Sequence, residues 1–240
     1  MGSGTVFERY EIKYIITEKQ KELIKNGMEK YMAPDKYGRS VIRNIYYDTA
    51  DSRLIRRSNE KPVYKEKLRV RSYKRVESDD EKVFVELKKK YNSVVYKRRT
   101  VLSENTAAKW LNDGQLPQEQ TQIISEIEYF RRFYGSLVPS AFVSYDREAF
   151  FAVDGSDFRV TFDENITART TDLSLKKDVG GKKLLGNGLV LMELKTHSGI
   201  PLWMTALLSE NGIFKTSFSK YGTAYRTMIF PEKGEIKNVC

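Results

Sequence analysis

Cysteine is almost absent from the chain. Cys240 is the only one, so no intrachain disulfide can form and no cysteine-built zinc site is available. That usage fits a reducing compartment. Histidine is as scarce: His197 stands alone in a stretch with Gly and Pro after an expected strand, where a surface role suits it. No apolar run is long enough for a transmembrane helix. Met1 to Gly4 lacks the apolar centre of a signal peptide, so a cytoplasmic chain is expected, with a membrane partner left open. Repeats of solenoid length and low-complexity tracts are missing too. Acidic residues are in deficit, at 32 Asp and Glu against 42 Lys and Arg, a formal balance of +10. The excess favours phosphate-rich partners such as nucleic acid, nucleotide, polyphosphate or an anionic membrane surface.

What the chain has in plenty is paired polar residues at spacing i, i+2 inside strand-like stretches. They are Glu11/Lys13, Arg69/Arg71, Glu86/Lys88, Lys97/Arg99, Tyr145/Arg147 and Glu193/Lys195. Residues two apart on a strand share a face. Ile12 and Tyr14, Leu68 and Val70, Val85 and Leu87, and Met192 and Leu194 take the other face. The polar face is mainly cationic, with a few carboxylates mixed in, which suits a polyanion together with a metal ion. With 240 residues, 40% of them hydrophobic, the chain can bury a large core.

The coarse order of elements is mixed. Strands are expected over residues 6–16, 41–48, 64–75, 82–90, 93–102, 142–152, 158–163 and 189–195, with 165–170 extending the seventh. The hairpin turn between the third and fourth is acidic, Glu77 to Glu81. Helices are expected from a Thr17 cap to about Tyr31, from a Ser103 cap to Leu111, and over 118–134, 201–208 and 219–229. Residues 50–61 read as irregular with one short turn of helix, and 175–187 as a basic, mobile loop. No linker divides the chain, so one domain spanning residues 1–240 is expected. The fold class is α+β: an eight-stranded antiparallel β-barrel, or tunnel, with helices packed on the outside. Helices that coat the apolar face leave the charged face inside. Unpaired buried charge costs several kcal/mol per ion, so such an interior has to be a wet tunnel filled by counter-charge. The alternative is an open sheet with its charges in water.

Segments along most of the chain, from Phe7 to Ile229, carry a resemblance. They include FERYEIKY (Phe7 to Tyr14), NIYYDT (Asn44 to Thr49), KLRVRSY (Lys67 to Tyr73), FVELKKK (Phe84 to Lys90), VYKRRT (Val95 to Thr100), YDREAF (Tyr145 to Phe150), FRVTFDENI (Phe158 to Ile166), LMELK (Leu191 to Lys195), IPLW (Ile200 to Trp203) and FSKY (Phe218 to Tyr221). In order and spacing the chain resembles the triphosphate tunnel metalloenzymes, specifically the catalytic domain of VTC-type polyphosphate polymerases. The resemblance implies an eight-stranded tunnel, ATP and polyphosphate or triphosphate as partners, and Mn²⁺ or Mg²⁺ as cofactor; nucleic acid is not expected, because stacking platforms and recognised DNA- or RNA-reading motifs are missing. By position, Lys13, Arg69, Arg71, Lys88, Arg147 and Arg159 would clamp phosphate oxygens, with Lys97, Arg99 and Lys195 beside them. Ser219 and Lys220 would bind phosphate near one mouth, and Tyr145 would orient a phosphate through its hydroxyl. Glu193 is the leading metal ligand, with Glu11 and Glu86 behind it.

One departure bears on the reaction. The wider superfamily opens on Glu-x-Glu-x-Lys, and here Arg9 takes the first Glu position before Glu11 and Lys13. This favours the polymerase branch over a simple hydrolase, whose metal sites use both carboxylates. The implied reaction moves the γ-phosphate of ATP to the end of a polyphosphate chain. The attacking phosphate is already anionic, so positioning and charge neutralisation matter more than a protein base. The alternatives are a tripolyphosphate, nucleoside or RNA 5′-triphosphatase on the same fold, and a non-catalytic polyphosphate-binding module.

Overall fold

The computed structural model describes residues 10–231 except 93 and 198. Arg9, Cys240 and the start of the expected first strand lie outside the described residues. The elements run β1 (Tyr10–Thr17), α1 (Glu18–Met28), β2 (Met32–Thr49), α2 (Arg53–Asn59), β3 (Tyr64–Ser72), β4 (Lys82–Tyr91), β5 (Val94–Ser103), α3 (Glu104–Asp113), α4 (Gln122–Tyr134), β6 (Leu137–Ala152), β7 (Arg159–Arg169), β8 (Lys182–Lys183), β9 (Leu189–Thr196), α5 (Leu202–Glu210) and α6 (Lys220–Ala224), with a π-helical turn at Tyr225–Ile229.

Caps set several boundaries. Thr17 starts α1 with a reciprocal pair: its hydroxyl accepts from Gln20 N at 3.2 Å, and Gln20 Oε1 accepts from Thr17 N at 3.0 Å. Ser103 accepts from Thr106 N to start α3, and Thr121 from Ile124 N to start α4. The Thr121 cap moves the start of α4 four residues beyond the expected position.

Other expectations need correction. Residues 32–40 are strand, so α1 stops at Met28 and β2 is 18 residues long. β6 grows to match it, pairing Met32 with Ala152 and Thr49 with Leu137. Residues 175–187 are not a loose loop. β8 pairs with Thr167 and Ala168 of β7, and Leu175 and Leu184 are buried in the core. The surrounding lysines and glycines hide that anchorage in the sequence. The last helix runs unbroken through the expected span, with its hydrogen bonding changing from α to π after Ala224.

The sheet order is β1-β9-β7-β6-β2-β3-β4-β5, with every pairing antiparallel and β8 attached to β7. Among the described residues, backbone hydrogen bonds do not close it, so in place of the expected eight-stranded closed barrel they form a curled nine-stranded sheet. The two edges, β1 and β5, come within 8 Å Cα to Cα in places. A physical reason lies at the free edge of β1, where the Lys13 carbonyl accepts from Thr216 N at 2.7 Å. The segment before α6 occupies the position that β5 would need.

Two apolar clusters cover the convex face, and a third fills one end of the concave face. Leu68, Val85 and Leu87 pack under Trp110, Ile127 and Phe130 of α3 and α4. Ile16, Phe162 and Met192 pack under Ile24, Met28 and Met204 of α1 and α5. On the concave face, Ile42, Ala141 and Val143, in line with Tyr145 and Arg147, pack under Ile55, Tyr221 and Ala224 of α2 and α6. Each large side chain removed from water contributes about 1.5–3 kcal/mol. The first two clusters consume most of the apolar alternation outward and turn the charged residues inward, beside the third cluster.

Candidate functional site

The concave face encloses a cavity of about 1500 Å³. Lys13, Arg69, Arg71, Lys88, Lys97, Arg99, Tyr145, Arg147, Arg159, Lys195, Ser219 and Lys220 all line it, as do Glu11 and Glu193. Glu86 alone of the expected set does not, being fully buried behind the cations.

Two buried carboxylates anchor the cationic walls. Glu86 accepts from Arg69 at 2.7 Å, from Lys97 at 2.7 Å and from Arg99 at 2.5 Å, with Arg71 at 4.0 Å. Burial alone would raise its carboxyl, but Arg69, Arg71, Lys97 and Arg99 hold it far below the usual carboxylate range. Asp163 takes a two-point grip from Arg147 at 2.6 and 2.7 Å and a 2.5 Å bond from Lys220. Burial opposes its charge, and Arg147 and Lys220 outweigh that and keep the carboxyl low. Burial likewise opposes the Lys220 charge, yet Asp163 and Glu193 hold its ammonium above the ordinary value.

Glu193 sits more loosely. Lys13 and Lys220 stand 3.4 and 3.5 Å from Oε1, and Lys195 and Arg147 stand 3.3 and 3.4 Å from Oε2. Glu11, on the neighbouring strand, is paired with Lys88 at 2.6 Å. Burial raises the Glu11 carboxyl, but Lys88 prevails and brings it to about 2.

Other cations are short of counter-charge. Lys67 Nζ donates to Ser219 Oγ at 3.0 Å and has no carboxylate partner among the described residues. Burial, with repulsion from Lys13, Lys88, Lys65 and Arg69, pushes it down to about 7. Lys195 falls to about 8 through burial and Arg147. Lys97 falls to about 7 because burial and the nearby arginines outweigh Glu86. An arriving phosphate would supply the charge these ammonium groups lack.

Tyr145 accepts from Arg71 Nη2 at 3.0 Å through its hydroxyl, which leaves its own proton to donate. Arg71 Nε is fixed on Asn44 Oδ1 at 2.8 Å. Ser219 does not offer a bare helix end. Its hydroxyl caps Gly222 N at 3.1 Å, and α6 has five residues.

The three carboxylates expected around a metal do not converge. Among the described residues, no three His, Cys, Asp or Glu side chains form a group that could hold a metal ion. Glu86 does not fit the role, since its oxygens are taken up by Arg69, Lys97 and Arg99. Glu11 and Glu193 do fit a smaller one. They stand on adjacent strands, both line the cavity, and each feels the charge of the other. Hard divalent ions bind through one or two carboxylates when phosphate and water complete the shell.

The VTC domain family model matches residues 8–229. The chain belongs to that family. No curated protein sequence matches this VTC domain. Two solved structures share its fold. One, from Bacillus halodurans and classed provisionally as an adenylate cyclase, aligns at TM-score 0.55 and 12% identity, covering 92% of this chain and 100% of the other. The other, from Hippeastrum, is classed provisionally as an adenylyl cyclase and described as having a dominant triphosphatase activity. It aligns at TM-score 0.54 and 16% identity, covering 92% and 96%. The VTC domain thus shares the fold of these two structures. No helix among its described residues is long and apolar enough to cross a membrane.

Sequence reasoning missed Asp163 and Lys67. Asp163 lies two residues before Asn165 on β7, and its burial depends on Arg147 arriving from β6. Lys67 could have been found, because it extends the Arg69/Arg71 spacing by one more step of two.

Proposed function

We propose that this VTC domain is an ATP-dependent polyphosphate polymerase that transfers the γ-phosphate of ATP to the end of a polyphosphate chain and releases ADP. The carrying observation is a single cavity whose wall cations outnumber its wall carboxylates. Such a lining binds more phosphate charge than one triphosphate brings, which suits a growing polyanion.

In this reading Arg69, Arg71, Arg147 and Lys220 are the main clamps. Their buried anchors, Glu86, Asp163 and Asn44, fix the forks before substrate arrives, so little reorganisation remains at the moment of transfer. Arginine suits the role because its planar fork grips two phosphate oxygens and stays charged. Lys13, Lys88, Lys97, Arg99, Arg159 and Lys195 continue the lining, Ser219 positions the Lys67 ammonium, and Tyr145 donates to a phosphate oxygen. Glu193 and Glu11 would hold a divalent ion, Mn²⁺ or Mg²⁺. When bound, the ion offsets charge on the transferring group. The nucleophile is a phosphate oxygen that is anionic at neutral pH, so the protein holds it and need not deprotonate it. We take the compartment to be the cytoplasm, where ATP is available.

A triphosphatase is the second reading, favoured by Glu11 and Glu193 on one wall and by the activity described for the Hippeastrum neighbour. Phosphate balance separates the two. With ATP and Mn²⁺, a polymerase forms ADP without an equal amount of free phosphate, and a hydrolase forms both in step. Glu193→Gln should lower ADP formation at least about 100-fold, with the fold kept by circular dichroism. Full activity in that variant would remove Glu193 from the metal site.

A further inference from the structure

One stretch of the cavity wall is unlike the rest. The β2–β6 register steps from Pro34↔Phe150 directly to Arg39↔Glu148, so residues 35–38 bulge out opposite Ala149 alone. Bulges of this kind re-aim side chains and gather beside functional sites. Asp35 Oδ1 accepts from Tyr37 N at 3.1 Å, and Gly38 takes φ 58, a left-handed conformation natural to glycine. The product is Tyr37, 71% exposed yet lining the cavity.

The other tyrosines of the wall are in use. Tyr46, Tyr73 and Tyr145 each accept from an arginine, at 3.2, 2.8 and 3.0 Å. The Tyr37 side chain makes no hydrogen bond among the described residues, and its ring lies 4.9 Å from Lys36 Nζ. Phe151, 44% exposed, lines the same cavity two residues from Ala149, in register with Arg159 of β7. Arg159 has no ion-pair partner among the described residues. Ala149, between Arg147 and Phe151 on the inner face, carries the smallest side chain of that wall and leaves room beside it.

We propose that the 35–38 bulge is a nucleobase seat, in which the base of the nucleoside triphosphate lies on the Tyr37 ring with Phe151 and the Arg159 guanidinium alongside. This rests on the polymerase reading and deepens it. The interior is lined with cations and suits only the phosphates, so the uncharged base has to sit where rings replace ammonium groups. Stacking on an aromatic ring uses the face of the base and not its edge. The seat therefore accepts adenine and guanine alike, and it is unused by an inorganic polyphosphate.

Calorimetric titration of the wild-type chain, Tyr37→Ala and Tyr37→Phe with ATP and with inorganic tripolyphosphate, each with Mn²⁺, tests this. Tyr37→Ala should weaken ATP binding roughly 5- to 100-fold and leave tripolyphosphate unchanged within about twofold, and Tyr37→Phe should bind ATP like the wild type. Equal weakening of both ligands, or unaltered ATP affinity, would overturn the seat. Wild-type binding of tripolyphosphate without ATP would overturn the ATP-dependent polymerase reading and the seat with it, whereas wild-type ATP binding that Tyr37→Ala leaves unweakened would overturn the seat alone. Wild-type binding of neither ligand would overturn the polymerase reading and the seat together.

Discussion

Lys67 shows how the cavity holds its charge. Most interior cations have a carboxylate, but Lys67 has a serine hydroxyl and four cationic neighbours, and its proton affinity falls to match. Lys67→Met keeps the length of the side chain and deletes the uncompensated charge. It should raise the melting temperature of the ligand-free chain by a few degrees and weaken tripolyphosphate binding; a lower melting temperature would contradict this account of Lys67. The same residues set a pH dependence. Lys67 and Lys97 at about 7 and Lys195 at about 8 are ammonium groups below those values and neutral above them. Tripolyphosphate affinity should accordingly fall as pH rises from about 6.5 to 9, against the ligand's own last ionisations, which add negative charge and act in the opposite direction. Calorimetry on wild type and Lys67→Met across that range separates the contributions, and a profile identical in both would exclude Lys67.

At the scale of elements, Asp48 ties the last helices to the sheet. It is the penultimate residue of β2, is fully buried, and its Oδ1 accepts from Leu54 N and Thr49 N at 2.8 Å each. Its Oδ2 accepts from Ile55 N at 3.0 Å and from the Tyr221 hydroxyl at 2.8 Å. It does the capping that Ser52 cannot, because Ser52 sits at φ 60 with no side-chain cap. Asp48→Ala would leave buried donors unmatched and should cost about 3 kcal/mol in denaturant unfolding. A loss under about 1 kcal/mol would mean that α2 and α6 are held otherwise. This contact was not legible in advance. NIYYDT reads as a strand end, but that its acid reaches Tyr221 depends on an α6 whose position no local pattern encodes. The strands themselves were legible, because alternation over β1, β3, β4 and β9 assigns each residue to a face directly. The failures at 32–40 and 182–183 share a cause. Pairing with β6 and β7 makes them strands, although Pro34, Gly38 and a run of lysines argue locally against it.

For the whole molecule, the sheet turns an apolar face to α1, α3, α4 and α5 and its cations to the cavity, one end of which is packed by α2 and α6. The α+β class and the inward charge followed from spacing. Closure did not, since whether β1 meets β5 is decided by the segment around Thr216. An interior of like charge is relieved by an anion. Tripolyphosphate at 100 times its dissociation constant should stabilise the fold by about 2.7 kcal/mol, or roughly 5–10 °C, and the gain should shrink as salt rises. A shift indifferent to salt would place the anion outside the cationic tunnel. The most direct test of the central claim is to incubate the purified chain with ATP and Mn²⁺ and resolve the products on a gel stained for polyphosphate. The account predicts a ladder of long chains accompanied by ADP. ATP consumed to ADP and free phosphate with no ladder would contradict it.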